Sequence, residues 1–88
     1  MLFFNLFESF FEGALQLVTF AERVRELRKA KGRTQKQMGD FLGLTERTYR
    51  AYEAGEVDPP SSKAIKLADY FDVSIDYLLG RSDDPAKR

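Results

Sequence analysis

Between Thr19 and Gly80 the chain is cut at short intervals by residues that start helices and residues that stop them. Thr19 stands three positions before Glu22, and Thr34 three before Gln37. Both pairs read as capping boxes, in which each side chain satisfies the other residue's orphan backbone donor. Gly32 and Gly43 follow as stops for these two segments. Thr45 opens a third segment and Gly55 ends it. After "VDPPSS", where two prolines cannot continue a helix but can precede one, Ser61 or Ser62 opens a fourth. Ser74 opens the last, "IDYLL", which Gly80 closes. No segment alternates apolar and polar residues between hairpin turns, so the pattern predicts an all-α chain with short connections.

Each predicted helix carries one apolar stripe. The spacing places Phe20, Val24, Leu27 and, at the edge, Ala30 inward on the first, with arginine, lysine and glutamate on its outer face. Met38, Phe41 and Leu42 are the expected buried set of the second, and Ile65, Leu67, Ala68 and Phe71 that of the fourth. The tail "RSDDPAKR" is polar and is expected to be loose.

The chain has 88 residues, the size of one small domain, and contains neither cysteine nor histidine. Disulfides and thiolate metal sites are thereby excluded, and the usual general base near neutral pH is missing. We therefore expect no metal, no cofactor and no catalysis. Net charge is zero but unevenly spread: positions 22–50 hold nine basic and four acidic residues, positions 51–86 three basic and eight acidic. A basic half beside an acidic half suits a partner that binds in one orientation, though a short chain can also show such a fluctuation by chance.

The second and third segments together carry the clearest message. A short helix stops at Gly43, Leu44 fills the turn, and a new helix starts at Thr45, which is helix-turn-helix spacing. Tyr49 and Tyr52, three apart, share the inward side of the later helix. Thr45, Arg47, Thr48, Arg50 and Ala51 lie off that side. A helix fits the major groove of B-DNA, where Arg47 and Arg50 can reach guanine edges or phosphates. Gly39 falls where the two helices must approach closely.

With "FAERVRELRKAKGRTQKQMGDFLGL", the "E-x-G" of Glu53 to Gly55, Pro59 and "LADYFDVSIDYLLG" in place, the stretch from Phe20 to Gly80 resembles the Cro/C1-type (xenobiotic-response-element) helix-turn-helix family of phage and bacterial repressors. The resemblance implies a five-helix, lambda-repressor-like DNA-binding domain over residues 19–80, followed by a polar tail over 81–88. It places Thr45, Glu46, Arg47, Arg50 and Ala51 toward the groove, with Thr48 near a phosphate. It gives Gln35 a phosphate contact and a brace on the recognition helix, adds phosphate contacts at Arg33 and Lys36, and pairs Arg28 with Glu53. Departures from the family pattern are Ala51 in place of a long polar reader, Glu46 and Glu56 as acids near phosphates, and Arg33 where an apolar residue is usual. Ala51 can meet a thymine methyl, and Glu46 can accept from a cytosine amine or merely repel.

Residues 1–18, "MLFFNLFESFFEGALQLV", match no part of that family. Asn5, Glu8, Ser9, Glu12 and Gln16 form one narrow polar stripe on an otherwise apolar helix rich in phenylalanine. A secretory signal would need basic residues ahead of the apolar run, a membrane span would not tolerate Glu8 and Glu12, and binding to anionic lipid would need basic residues on the polar face. The expectation is an additional N-terminal amphipathic helix that packs against a second subunit or against the domain itself. Translation starting at Val18 would remove it altogether. Phe3, Phe7, Phe10 and Phe11, with Tyr77 and Leu78 at the end of the fifth helix, are the candidate dimerisation residues. The whole reads as a cytoplasmic, sequence-specific regulator, a homodimeric repressor bound to a palindrome in double-stranded DNA. Two rivals stand beside it. One is a DNA-binding antitoxin or restriction-control protein that holds a protein partner through the N-terminal helix. The other is an interaction module that kept the fold without binding DNA.

Overall fold

The structure, a computed structural model, describes residues 19–87. The expectations for the N-terminal helix, and with them Phe3, Phe7, Phe10 and Phe11, lie outside the described residues. Among those described there are five helices and no strand: α1 Phe20–Ala30, α2 Gln35–Leu42, α3 Glu46–Glu53, α4 Ser61–Phe71 and α5 Ile75–Leu78.

Local chemistry sets the helix starts. The hydroxyls of Thr19, Thr34, Thr45 and Ser74 each accept from the backbone N–H three residues on, at 3.2, 3.0, 3.1 and 3.0 Å. Only Thr34 forms the full capping box, with Gln37 Oε1 accepting from Thr34 N at 2.8 Å. At Thr19 the hydroxyl half alone is made. The serines expected to cap α4 do not: Pro60 occupies the cap position, and Ser61 is the first helical residue. A fixed proline φ is already suited to a helix entry, so no side-chain bond is needed there. The helix ends share one device, a backbone N–H that reaches back five residues, as in Leu44 N to Gly39 O at 2.8 Å and Val73 N to Ala68 O at 3.0 Å. Gly43 supplies the left-handed turn for the first, whereas Asp72 adopts φ 57° for the second without being glycine. Aspartate tolerates that region better than most residues.

The core joins all five helices through Val24, Met38, Leu42, Tyr49, Tyr52, Leu67, Ala68, Phe71 and Leu78, with Val73 from the α4–α5 connection. Phe20 meets Tyr52 edge-on at 6.2 Å, and Phe41 lies 4.7 Å from Tyr70. Four expectations are corrected here. Ile65 is exposed, because the inward stripe of α4 runs Ala64, Leu67, Ala68, Phe71 and leaves Ile65 on its flank. Ala30 is exposed, and Ala21 is buried in its stead. Arg23, assigned to the outer face, is buried: its guanidinium stacks on the Tyr77 ring at 3.8 Å and pairs with Asp83 at 3.6 Å. The tail is tied down rather than loose, since Ser74 N donates to Pro85 O at 3.0 Å and Lys87 pairs with Asp69 at 2.9 Å.

Leu78 requires a fifth correction. It is wholly buried, so it cannot present itself to a second subunit. Tyr77 is half-buried beneath Arg23, and the exposed apolar side chain at this end is Leu79, just past α5.

Gly39 is where α2 touches the start of α3. A Cβ there would stand 3.1 Å from the Leu44 carbonyl oxygen and 3.2 Å from that of Thr45. Both neighbours are backbone, so neither can rotate away. Gly39→Val is expected to cost about 1–3 kcal/mol by overpacking, a melting-temperature loss of at least about 4 °C in a thermal melt.

Candidate nucleic-acid interface

The outward face of α3 is defined by what its inward face does. Tyr49 and Tyr52 are buried in the core, which turns Arg47, Thr48 and Arg50 to the exposed side. Ala51 and Glu46 sit half-buried at its margins. Thr45 caps the helix and also donates its hydroxyl hydrogen to Thr48 Oγ1 at 3.0 Å. Arg47 makes no hydrogen bond or ion pair among the described residues, and its guanidinium is free to meet a ligand.

Arg50 is held instead. Its Nε donates to Gln35 Oε1 at 3.0 Å, and its Nη2 donates to Glu46 Oε2 at 2.6 Å. Gln35 in turn donates from Nε2 to Glu53 Oε1 at 3.2 Å. Glu53 is the hub. Arg28 grips it as a fork, Nε to Oε2 at 2.6 Å and Nη2 to Oε1 at 3.0 Å, while the Tyr49 hydroxyl donates to Oε2. The remaining Arg28 nitrogen donates to the Arg33 carbonyl at 2.8 Å, so α1, the first turn of α2 and the end of α3 are fastened at one point. The chain of contacts runs from the buried Arg28–Glu53 pair through Gln35 to the surface at Arg50 and Glu46. Gln35 therefore ties the start of α2 to two side chains of α3, Glu53 and Arg50.

Burial is the largest influence on the Glu53 carboxyl and pushes its pKa upward, but the bonds from Arg28, Tyr49 and Gln35 together outweigh it and hold the group below its ordinary 4.5. The bond to Glu53 raises the Arg28 guanidinium further above its already high ordinary value. Burial, then donation to Glu53, drives the Tyr49 phenol far above its ordinary 10.0. Glu53 thus contributes stability that is complete above about pH 4.5 and lost as pH falls through its lower folded value; Tyr49 contributes stability that is complete below pH 10 and lost as pH rises beyond it. Thermal melts against pH should show a plateau between these limits, with the alkaline fall made shallower by Tyr49→Phe.

The other basic candidates have partners of their own. Lys36 pairs with Asp40 one turn along α2 at 3.2 Å, and both are exposed. Such a pair contributes little and exchanges readily for a phosphate. Arg33 Nε donates to the Tyr70 hydroxyl at 2.8 Å, which draws its guanidinium toward α4. Sequence reasoning missed Lys63, whose ammonium donates to the Leu42 carbonyl at 2.8 Å and caps the end of α2 from α4. Nothing local marks that bond, because its partners lie on separate helices.

Two helices meet at Gly39, a left-handed Gly43 makes the turn, and the second helix shows a polar, arginine-bearing flank. A model of the Helix-turn-helix family matches residues 24–78. The chain belongs to the helix-turn-helix family. Among relatives of this helix-turn-helix chain is the HTH-type transcriptional regulator YobD of Bacillus subtilis strain 168, 42% identical over 66 residues that cover 75% of this chain and 59% of that one. The CTXphi transcriptional repressor RstR of Vibrio cholerae is 43% identical over 60 residues, covering 68% of this chain and 54% of the repressor. The crystal structure of a transcriptional regulator from Listeria innocua superposes with a TM-score of 0.68 at 40% identity, covering 70% of this chain and 58% of that one. The chain thus spans between half and two thirds of the length of these relatives.

Proposed function

We propose that this helix-turn-helix protein is a sequence-specific DNA-binding transcriptional regulator that acts in the cytoplasm as a homodimeric repressor. The observation that carries the reading is Arg47, exposed and without a hydrogen-bond or ion-pair partner among the described residues, on the face of α3 opposite two core tyrosines. With α3 in the major groove, Arg47 reads a base edge, Thr48 and Gln35 meet phosphates, and Lys36 leaves Asp40 for a phosphate. One short helix buries little surface, so a pair of subunits on half-sites one DNA turn apart multiplies weak contacts. Leu79 and residues 1–18 are the surfaces proposed for that pairing, with about three to five phosphate contacts per subunit setting a shallow salt dependence. Among the described residues no helix is long and apolar enough to cross a membrane.

The test is binding to duplexes selected from a random pool. Arg47→Ala is expected to lower discrimination at one base pair by about 1–3 kcal/mol while leaving the melting temperature unchanged, because the side chain is exposed and makes no hydrogen bond or ion pair among the described residues. Equal affinity of the unaltered protein for selected and scrambled duplexes would refute sequence-specific readout.

A further inference from the structure

Glu46 is the least expected residue on the exposed flank of α3, an acid where phosphates would come close. Its carboxylate does not simply face solvent. It accepts from Arg50 Nη2 at 2.6 Å, and Arg50 Nε is taken by Gln35, which is itself fixed to the buried Glu53. The Nε–Nη2 edge of the guanidinium is therefore occupied inside the protein, while Nη1 makes no hydrogen bond or ion pair among the described residues. A free arginine on this surface would swing to any phosphate it could reach, since its long side chain samples many rotamers and phosphate is the stronger attractant. Arg50, bonded along one edge to both Gln35 and Glu46, starts with that freedom reduced, unlike Lys36, whose one ion-pair partner lies on its own helix.

Resting on the DNA-binding reading above, we infer that Glu46 is a positioning residue for specificity: with Gln35 it holds Arg50 so that the guanidinium meets a base edge through Nη1 rather than wandering to the backbone. The carboxylate acts in two ways at once. It orients Arg50 before DNA arrives, so less side-chain freedom is lost on binding. It also offsets part of the charge that Arg50 would otherwise offer to phosphates, which lowers non-specific affinity in particular. Glu46 thus weakens binding to all DNA while sharpening the preference for one sequence. A plain repelling acid would do only the first, and an acid reading a cytosine amine would not depend on Arg50.

The experiment is a double-mutant cycle on the full chain with Glu46→Gln, Arg50→Ala and both together. Each protein is titrated with the selected duplex and with a duplex changed at single base pairs, at several salt concentrations. Glu46→Gln is expected to tighten binding to the changed duplexes and to steepen the salt slope by about one phosphate contact. It is also expected to cut discrimination at the base pair read by Arg50 by about fivefold or more. In the Arg50→Ala background, Glu46→Gln should leave discrimination unchanged. In the free protein, the Arg50 Nε–H resonance should exchange with water faster once Glu46 is replaced, with melting temperature held.

If Glu46→Gln tightens binding to matched and changed duplexes alike, Glu46 only repels and the inference fails. If it lowers discrimination equally with and without Arg50, Glu46 reads a base itself and the inference again fails. A protein that discriminates among duplexes while giving either result leaves the functional reading standing. An unaltered protein that binds no duplex overturns the functional reading and this inference together.

Discussion

Glu53→Ala is expected to destabilise the domain by about 3–5 kcal/mol, a large share of the total stability of a chain this size. Both partners of the Arg28–Glu53 pair are almost withdrawn from solvent, with side-chain exposures of 11% and 3%. Removing the carboxylate strands the Arg28 guanidinium and strips acceptors from Gln35 and the Tyr49 hydroxyl in the same step. Glu53→Gln keeps the shape but loses the charge that the fork requires, so it should fall between the two. Replacing both partners together, Arg28→Met with Glu53→Leu, is expected to recover much of the loss, since a buried ion pair contributes little beyond what well-packed apolar residues contribute. Chemical denaturation at pH 7 measures all three. Recovery of stability without recovery of DNA binding would show that the pair serves to aim α3 more than to hold the fold.

Leu78→Ala is the second large effect, about 2–5 kcal/mol, because a fully buried leucine leaves a cavity that its neighbours cannot fill. The same change decides between two roles for the end of α5. As a core residue, Leu78 should lower the melting temperature at every protein concentration and leave the oligomeric state of the folded fraction alone. As a subunit contact it would do the reverse. Leu79→Ala is the matched comparison: that side chain is 37% exposed, so its loss should cost the fold less than that of Leu78, and as a proposed pairing surface it should weaken association instead.

The helix boundaries were legible in the sequence because capping is local. A threonine or serine three residues ahead of its donor is visible in one dimension, as is a glycine just past a helix. Two ends escaped for the same reason: Pro60 begins α4 without a side-chain bond, and Asp72 takes a left-handed conformation that its residue type does not demand. The outward face of α3 followed from the two tyrosines, whose spacing fixes which side is buried. What each arginine does there did not follow. Arg47 and Arg50 look equivalent in the sequence, yet among the described residues one has no hydrogen-bond or ion-pair partner and the other is held by Glu46 on its own helix and by Gln35 on α2. Arg23 resembled any exposed helical arginine until α5 set the Tyr77 ring beneath it. Local rules give the elements, and the contacts between helices assign the side chains.

The account depends on the flank of α3 that carries Arg47 being the surface that DNA covers. Amide resonances followed by NMR during titration with a selected duplex test this most directly. The predicted result is a contiguous set of shifts over the α2–α3 turn, the first turns of α2 and α3, and Arg47 to Arg50, with the polar tail and the outer side of α4 unmoved. Shifts confined to α4, α5 and the tail, with α3 silent at saturation, would contradict it.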